Sequence, residues 1–267
     1  MRTITLEEHY VTEAFMEGPG RELKAQAEAA RSHPQVAAGY TKLIEELCDL
    51  GDGRIAAMDA AGIDMQVLSL TSPGVEQLEA AEAVAFARET NDLLAEAVRR
   101  HPDRFAGFAA LPTADPEAAA DELERTIRDH GFKGALINGH TRGRYLDDSF
   151  FWPILERAEG LGVPIYLHPA PPPQPVVEAS YAGNYASGVT ALLSTAAWGW
   201  HVETATHVLR LVLGGAFDRY PKLQLVIGHM GEGLAFMIPR IDLALPAEMT
   251  KLDIMKEIGR ASCRERV

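Results

Sequence analysis

The sequence predicts an α/β protein whose architecture is the (β/α)8 TIM barrel. Short apolar segments alternate with longer amphipathic segments, which is the pattern of parallel strands joined by helices. The 267 residues are close to the roughly 250 residues of one such barrel. A composition of 47% hydrophobic and 24% charged residues is ordinary for a globular domain. We therefore expect one folded domain with a single core.

Six segments are predicted to be strands because they are short and rich in aliphatic, alanine or aromatic residues. In chain order they are residues 3–8, 65–70, 105–111, 133–138, 163–168 and 223–229. Helical spacing of apolar residues predicts helices over residues 75–101, 116–130, 149–161 and 202–220. Asp115 and Asp148 are candidate N-caps of two of these helices. Glu76, Glu79 and Glu82 are expected to form a solvated face of the first.

Two segments without either pattern are predicted to be long loops at the mouth of the barrel. Residues 11–40 contain Gly18-Pro19-Gly20, and residues 169–187 combine a proline-rich start with Tyr181 and Tyr185. Long loops in a compact domain usually serve function. We expect the second loop to be a rigid lid lined by aromatic rings.

The sequence after Glu257 reads IGRASCRERV and has neither strand alternation nor helical spacing. It resembles a translated sequencing adapter. We hypothesise that residues 1–257 are the barrel domain and that residues 258–267 are a non-native tail, with a natural basic tail as the alternative. Six predicted strands instead of eight then indicate a barrel truncated after about six βα units.

Charge and cysteine content narrow the class of function. A net charge of −13 disfavours binding to nucleic acid or to an anionic membrane surface. No apolar run has the length of a membrane span. The two cysteines, Cys48 and Cys263, are typical of a reducing compartment and too few for a thiolate zinc site. We expect a cytoplasmic protein with Cys48 buried, in which histidines and carboxylates bind any metal.

Three histidines each close a predicted strand. Glu7 and His9 are two residues apart, so the alternation of a strand points both side chains to one side. His168 ends the fifth strand, and His229 ends the sixth with Glu232 shortly after it. Catalytic residues of barrels gather at the carboxyl ends of strands, and imidazole and carboxylate suit Zn²⁺ or Mn²⁺. The pattern favours a metal site, and the alternative that each histidine only packs in the core stays open.

The fourth strand favours one ion over two. In (β/α)8 barrels that bind two metal ions, a lysine at the end of the fourth strand bridges the ions. In this sequence Asn138 ends the fourth predicted strand, and Lys133 lies at the opposite end of that strand. Asn138 is a candidate hydrogen-bond donor to a substrate, or alternatively a cap for the turn at Gly139. Trp200 is a candidate wall of an aromatic pocket, or a core residue of its helix. His207 in the same helix is expected to be structural.

Three motifs together identify a resemblance. LEEHY near the N-terminus, YLHP at the fifth strand and GHMGEGLAFMIPRID at the sixth resemble those of the amidohydrolase-related decarboxylases. This group includes 2,3-dihydroxybenzoate, γ-resorcylate and 5-carboxyvanillate decarboxylases and, more distantly, aminocarboxymuconate semialdehyde decarboxylase. The similarity runs from Ile4 to about Leu245. It implies a metal-dependent barrel of the amidohydrolase type that removes CO₂ from an aromatic acid without oxidation.

The resemblance also implies a role for each site residue. Glu7, His9 and His168 match the metal ligands, His229 the acid–base histidine, and Glu232 and Arg240 the charge network around that histidine. A further ligand of the family, an Asp on the eighth strand, has no match in this sequence. The resemblance implies one divalent ion per subunit, Zn²⁺ or Mn²⁺, and a homodimer or homotetramer.

We therefore predict a carbon–carbon lyase of aromatic compound catabolism that decarboxylates a small o-hydroxybenzoate-like acid. Carboxylate and phenolate of the substrate would chelate the ion, and a proton delivered to the ring carbon would release CO₂. Two alternatives stay open. One is a metal-dependent hydrolase or lactonase on the same barrel with His229 as its base, and the other is an inactive truncated barrel.

Overall fold

Strands and helices alternate along the chain in the computed structural model, which describes residues 2–21, 25 and 34–245. The chain divides into two compact units, Met1–Ile137 and Asn138–Val267. The predicted tail at residues 258–267 lies outside the described residues. Among the helices of the described ranges, none combines the length and hydropathy needed to cross a membrane.

The strands of the first unit pair in parallel. β1 (Ile4–Tyr10), β2 (Met65–Leu70) and β3 (Phe105–Gly107) form one sheet in that order. β4 (Ala109–Ala110) pairs with β5 (Ala135–Asn138). The register of β1 against β2 shifts between Thr5 and Glu8 and then sets His9 opposite Ser69. The shifted register fixes which β2 side chains neighbour the end of β1.

The predicted strand at residues 105–111 is two strands, because the chain changes partner at Phe108. Phe108 N donates to Leu68 O of β2 at 2.9 Å, whereas Ala109 N donates to Gly134 O, just before β5, at 2.9 Å. Phe108 and Ala109 are both buried. Strands of parallel sheets are covered on both faces and have near-continuous apolar sequences. The two strands therefore look like one apolar segment in the sequence.

The first unit has helices at α1 (Glu13–Glu17), α2 (Pro34–Cys48), α3 (Asp52–Ala61), α4 (Ala80–Arg100) and α5 (Pro116–His130). The bounds of α5 confirm the prediction, because both of its ends carry local signals. Asp115 Oδ1 accepts from Ala118 N at 3.2 Å, with Pro116 following in the first turn. Gly131 ends the helix with a φ of 69°.

Three expectations for the first unit are wrong in part. Residues 11–40 are not one loop, because Thr12 Oγ1 accepts from Phe15 N at 2.9 Å to start α1, and the described end of the segment belongs to α2. Glu76 is 1% exposed, because α4 begins only at Ala80 and Glu76 lies in the turn before it. Glu79 and Glu82 are exposed, as expected. Cys48 is an exposed free thiol, since it closes α2 on a solvent-facing side.

The second unit begins with a short 3-10 turn and contains two parallel strands among its helices. Its elements are the 3-10 turn Ser149–Phe151, α6 (Trp152–Leu161), β6 (Pro164–His168), α7 (Gln174–Ser180), α8 (Ser187–Leu193), α9 (Gly199–Leu213), α10 (Ala216–Arg219), β7 (Gln224–Ile227), α11 (Gly228–Gly231) and α12 (Leu234–Ala244). Ile165 of β6 lies opposite Leu225 of β7. Asp148 caps the 3-10 turn as predicted, accepting from Phe150 N at 2.9 Å.

Two predicted segments of the second unit are more divided than expected. The helix predicted over residues 202–220 is α9 and α10, because Gly215 adopts a φ of 79° and breaks the helix. The lid predicted over residues 169–187 contains α7. Of its two tyrosines, Tyr181 is buried, whereas Tyr185 is exposed and donates from its hydroxyl to Tyr181 O at 2.5 Å.

Alternating elements and parallel pairing confirm the predicted α/β class. Each described strand overlaps one of the six predicted strand segments. Strand residues supply much of the buried apolar surface, including Leu68, Phe105, Ile137 and Leu167. Removing a buried aliphatic side chain of this size typically costs about 2–5 kcal/mol, so these strands are a main source of stability.

Candidate metal centre

The end of β1 presents Glu7 and His9, while Glu8 between them makes a structural contact. Glu8 Oε2 accepts from Nε2 of Gln66 in β2 at 2.9 Å. His9 Nδ1 lies 3.2 Å from Oγ of Ser69, also in β2. Because Ser69 engages Nδ1, Nε2 is the ring nitrogen that His9 can offer to a metal ion. The alternation of the strand therefore separates the candidate ligands from the carboxylate of Glu8.

Arg54 of α3 fixes the backbone at this strand end, a role that no sequence pattern indicates. Its guanidinium donates to His9 O at 2.9 Å, to Asp49 O at 2.7 Å and to Glu46 O at 3.0 Å. Burial lowers the pKa of Arg54, and the carboxylates of Glu8, Asp49 and Glu46 act in the opposite direction. An arginine inside an ordinary helical segment gives no local signal of these contacts.

His168 closes β6 and is 5% exposed. Gly139 N donates to His168 O at 2.9 Å, and Gly139 itself has a φ of 61°. A Cβ at this glycine would lie 2.7 Å from the Cβ of Ala170, closer than side chains pack. Both the backbone conformation and the close approach therefore require glycine. Asn138, the preceding residue, is 1% exposed at the end of β5.

His229 lies beyond the end of β7, in the short element α11, which is a turn of uncommon backbone conformation and not a regular helix. β7 ends at Ile227, two residues before the predicted end. His229, Met230 and Glu232 have φ values of 45°, 60° and 52°, in the left-handed region that residues other than glycine rarely adopt. Each such residue costs roughly 1–3 kcal/mol and persists where its surroundings hold it, often at functional sites. The strain points to this turn as a functional segment.

Glu232 holds the turn through both of its carboxylate oxygens. Its side chain is fully buried. Oε1 lies 2.8 Å from His229 Nδ1, and Oε2 makes a very short hydrogen bond with His201 Nδ1. A carboxylate accepts hydrogen bonds, so we assign the proton of each contact to the ring nitrogen. His229 is then left with Nε2 for proton exchange. The expected contact between Glu232 and His229 is therefore present.

Aromatic rings surround His229 on other sides. Trp200 lies nearly parallel to it, with ring centroids 6.3 Å apart and planes at 16°. His168 and His201 meet it edge-on at 5.5 Å and 6.1 Å. His201, His229 and Glu232 also offer ligand atoms within 4.8 Å of one another. The second unit thus contains a compact cluster of acid–base and metal-binding residue types in contact with His168.

A second buried polar cluster lies between the segment after β5 and α9. Tyr145 donates from its hydroxyl to Glu203 Oε1 at 2.5 Å, and Leu146 N donates to His207 Nε2 at 2.9 Å. Burial raises the pKa of Glu203. Burial, with the nearby charge of Arg210 adding to it, lowers the pKa of His207 to about 3. His207 accepts a hydrogen bond as a neutral, buried ring, in keeping with the structural role predicted for it.

Arg240 is exposed on α12. The two oxygens of Glu232 are engaged by His201 and His229, so the membership of Arg240 in this network stays a prediction. The motifs gave His201 no role in the network. Its partner lies 31 residues away in the sequence, a separation at which no periodic pattern operates.

Comparison with known proteins assigns this arrangement to a family. Residues 44–252 match the family described as Amidohydrolase. The chain belongs to the amidohydrolase family. Gamma-resorcylate decarboxylase of Polaromonas sp. (strain JS666) is 40% identical over 246 residues, which cover 90% of this chain and 70% of the relative. The resemblance expected from three short motifs is thereby confirmed.

Solved structures of amidohydrolase-family decarboxylases share the fold of this chain. The 5-carboxyvanillate decarboxylase of Novosphingobium aromaticivorans, complexed with manganese and 4-hydroxy-3-methoxy-5-nitrobenzoic acid, is 39% identical with a TM-score of 0.79. That match covers 91% of this chain and 69% of the other. The dihydroxybenzoic acid decarboxylase of Polaromonas sp. JS666, with manganese and 2-nitroresorcinol, is 40% identical with a TM-score of 0.77, over 90% and 69%.

Proposed function

We propose that this chain is a metal-dependent carboxy-lyase that removes CO₂ from a small aromatic acid with a hydroxyl group ortho to its carboxylate. The observation that carries the proposal is the acid–base pair of His229 and buried Glu232, held in a strained turn in contact with His168. Relatives named as gamma-resorcylate and dihydroxybenzoic acid decarboxylases support this substrate class. The same support favours decarboxylation over hydrolysis.

Glu7, His9 and His168 would bind one divalent ion per subunit in this proposal. One carboxylate and two imidazoles suit Mn²⁺ or Zn²⁺, and Ser69 leaves Nε2 of His9 as its donor atom. Manganese is the first candidate because the related structures hold it. The bound ion would orient and polarise the carboxylate and phenolate oxygens of the substrate. We also propose that the parallel strands belong to a (β/α)8 barrel of the amidohydrolase type, a fold in which the carboxyl ends of the strands carry such ligands.

His229 would move the proton that the substrate ring gains. Glu232 holds Nδ1, so Nε2 is the nitrogen that would deliver this proton. The proton stays on the ring carbon in place of the departing CO₂, and Nε2 takes up a replacement from solvent. The buried carboxylate orients the imidazole, and Trp200, lying nearly parallel to it, limits its rotation. Only Nε2 of His229 would then release a proton to the substrate, because Nδ1 keeps its proton in the hydrogen bond to Glu232.

Asn138 and Trp200 would contact the substrate. The amide of Asn138 is buried at the end of β5, where it would donate to a substrate oxygen. The indole of Trp200 would form one wall for an aromatic ring. Arg240 would belong to the charge network around His229 and Glu232. The homodimer or homotetramer and the cytoplasmic location stay predictions from the sequence.

Product analysis with the manganese-loaded protein tests the proposal. The acids are 2,6-dihydroxybenzoate, 2,3-dihydroxybenzoate and 5-carboxyvanillate, and both CO₂ and the phenolic product are measured. We expect turnover of at least one acid. His229→Asn should keep its metal and lose turnover by about 10²–10⁴-fold, as for other general acids or bases. Val202→Ala, at an exposed position of α9, is the control and should keep wild-type turnover.

Two results would contradict the proposed reaction. Hydrolysis of a lactone or amide without CO₂ release from any of the three acids would favour the hydrolase alternative. Metal-loaded protein without turnover of either kind would favour the inactive alternative. Wild-type turnover in His229→Asn would leave decarboxylation standing but would remove His229 from the mechanism.

A further inference from the structure

We propose that His201 is a positioning residue: it holds the second oxygen of Glu232 and thereby fixes the orientation of His229. This inference rests on the proposed function for its catalytic consequence. Its structural basis is the pair of hydrogen bonds that Glu232 makes with His201 and His229 in the second unit. His201 does not act on the substrate itself in this proposal, because its Nδ1 is engaged by the carboxylate.

The two hydrogen bonds of Glu232 connect it to elements of different kinds. His229 is three residues away, within the same turn, so their bond at 2.8 Å moves with the turn. His201 is 31 residues away, in the first turn of α9, a helix of 15 residues. The bond to His201 therefore ties a short turn to a long helix. Of the two bonds, the one to His201 sets where the carboxylate lies in the unit.

The strained backbone of the turn makes this outside connection necessary. His229, Met230 and Glu232 all have positive φ values, a combination that the local sequence does not favour by itself. Met230 is 100% exposed, so its side chain provides no packing that would hold the turn. Glu232 is the buried member of the three. The contacts of its carboxylate therefore hold the conformation.

Trp200 and His201 act on His229 from the same helical turn. Trp200 lies nearly parallel to the imidazole, and His201 meets it edge-on while binding its carboxylate partner. α9 begins at Gly199, so both residues are placed by the start of the helix. The start of α9 thus restrains both the plane of the His229 ring and the position of its hydrogen-bond acceptor.

Removing the imidazole of His201 should disturb orientation more than folding. Its side chain is 39% exposed, so its replacement leaves little empty space in the core. Glu232 is fully buried and would lose the donor to Oε2, an unfavourable state that the carboxylate relieves by turning away. His229 would then lose its fixed acceptor. Turnover should fall, while metal binding and substrate binding, which use other residues, should persist.

Two substitutions separate the hydrogen bond from the bulk of the side chain. His201→Ala removes the donor, whereas His201→Asn places an amide nitrogen at the same number of bonds from Cα as Nδ1 of histidine. We expect kcat of His201→Ala to fall by about 10–100-fold, as for other residues that orient a catalytic group. KM should change by less than about threefold, and the manganese content should not change. His201→Asn should recover most of the loss, and Val202→Ala should match wild type.

A second readout does not depend on turnover. In zinc-loaded protein labelled with ¹⁵N-histidine, the Nδ1–H signal of His229, assigned by its absence in His229→Asn, reports the bond to Glu232. We expect this signal in wild type and in His201→Asn, and its loss to solvent exchange in His201→Ala. If wild type shows no decarboxylation, the proposed function fails while this signal still decides the role of His201.

Three outcomes would overturn the positioning role. The first is an unchanged His229 signal in His201→Ala. The second is equal impairment of His201→Ala and His201→Asn, which would assign the effect to bulk instead of the donor. The third is loss of manganese from His201→Ala, which would make His201 part of the metal site.

Discussion

His207 on α9 should make the stability of this protein depend on pH. The ring is 1% exposed, and its Nε2 accepts from Leu146 N at 2.9 Å. Burial is the main reason why the pKa falls from 6.5 to about 3. Between these two values the folded protein keeps the ring neutral, whereas the unfolded chain binds a proton. The free energy of unfolding therefore decreases as the pH falls through this window.

The magnitude follows from the unfolded-state pKa of 6.5. The full slope for one proton is about 1.4 kcal/mol per pH unit, and it develops as the pH drops below 6.5. Between pH 7 and pH 5 the loss is about 2 kcal/mol, because the folded-state pKa lies well below this range. Protonation would also turn Nε2 into a donor that faces the N–H of Leu146, so the native hydrogen bond is lost with the added charge.

His207→Gln removes the titration and keeps an acceptor for Leu146 N. We expect this variant to be less stable than wild type at pH 7 by about 1–2 kcal/mol, because an amide fits the ring's site poorly. From pH 7 to pH 5 its free energy of unfolding should fall by about 2 kcal/mol less than that of wild type. Urea unfolding at pH 7, 6 and 5 measures both quantities. Val208→Ala, which truncates a buried neighbour, should lose stability but keep the wild-type pH dependence. The same pH dependence in wild type and His207→Gln would show that protonation of His207 does not cause the loss of stability.

Three further changes test the fold and the metal site. Gly139→Ala should destabilise the protein by about 2–4 kcal/mol, because its positive φ and a neighbouring Cβ at 2.7 Å both oppose a side chain; an unchanged urea midpoint would contradict this. Asn91→Leu should cost about 3 kcal/mol, since the buried amide donates to Ala110 O and Glu122 and accepts from Ala110 N. A loss below about 1 kcal/mol in urea unfolding would show that these groups find other partners. His168→Ala should remove most of the bound manganese, and stoichiometric manganese by elemental analysis would show that the ligand assignment is wrong.

The parts of the fold that could be predicted are those specified by neighbouring residues. The bounds of α5 follow from Asp115 and Gly131, which act within one turn of the helix ends. The division of residues 105–111 could not be predicted, because it depends on which strand each residue pairs with, and Phe108 changes partner without changing hydropathy. Gly215 is an intermediate case. Its sequence, Gly214-Gly215, signals a break, but the apolar spacing on either side continues as if one helix ran through it.

The same distinction applies to the candidate site. Glu7, His9 and His168 could be predicted as candidate ligands because His9 and His168 lie close to strand ends, which are local features, and Glu7 shares the face of His9 two residues before it. The roles of Arg54 and His201 could not be predicted, because each residue acts through a contact at least 30 positions away in the sequence. Arg54 donates to His9 O, and His201 binds Glu232. Periodicity carries no information at such separations.

Glu232 nevertheless shows how physical reasoning reaches beyond periodicity. A buried carboxylate has two oxygens to satisfy, and leaving one without a donor carries a cost comparable to a lost hydrogen bond. The turn supplies one donor, His229, three residues away. Burial of Glu232 therefore requires a second donor from a distant element, and α9 supplies it in His201. A motif that buries a carboxylate beside one histidine thus specifies a missing partner, even where the sequence does not indicate which residue it is.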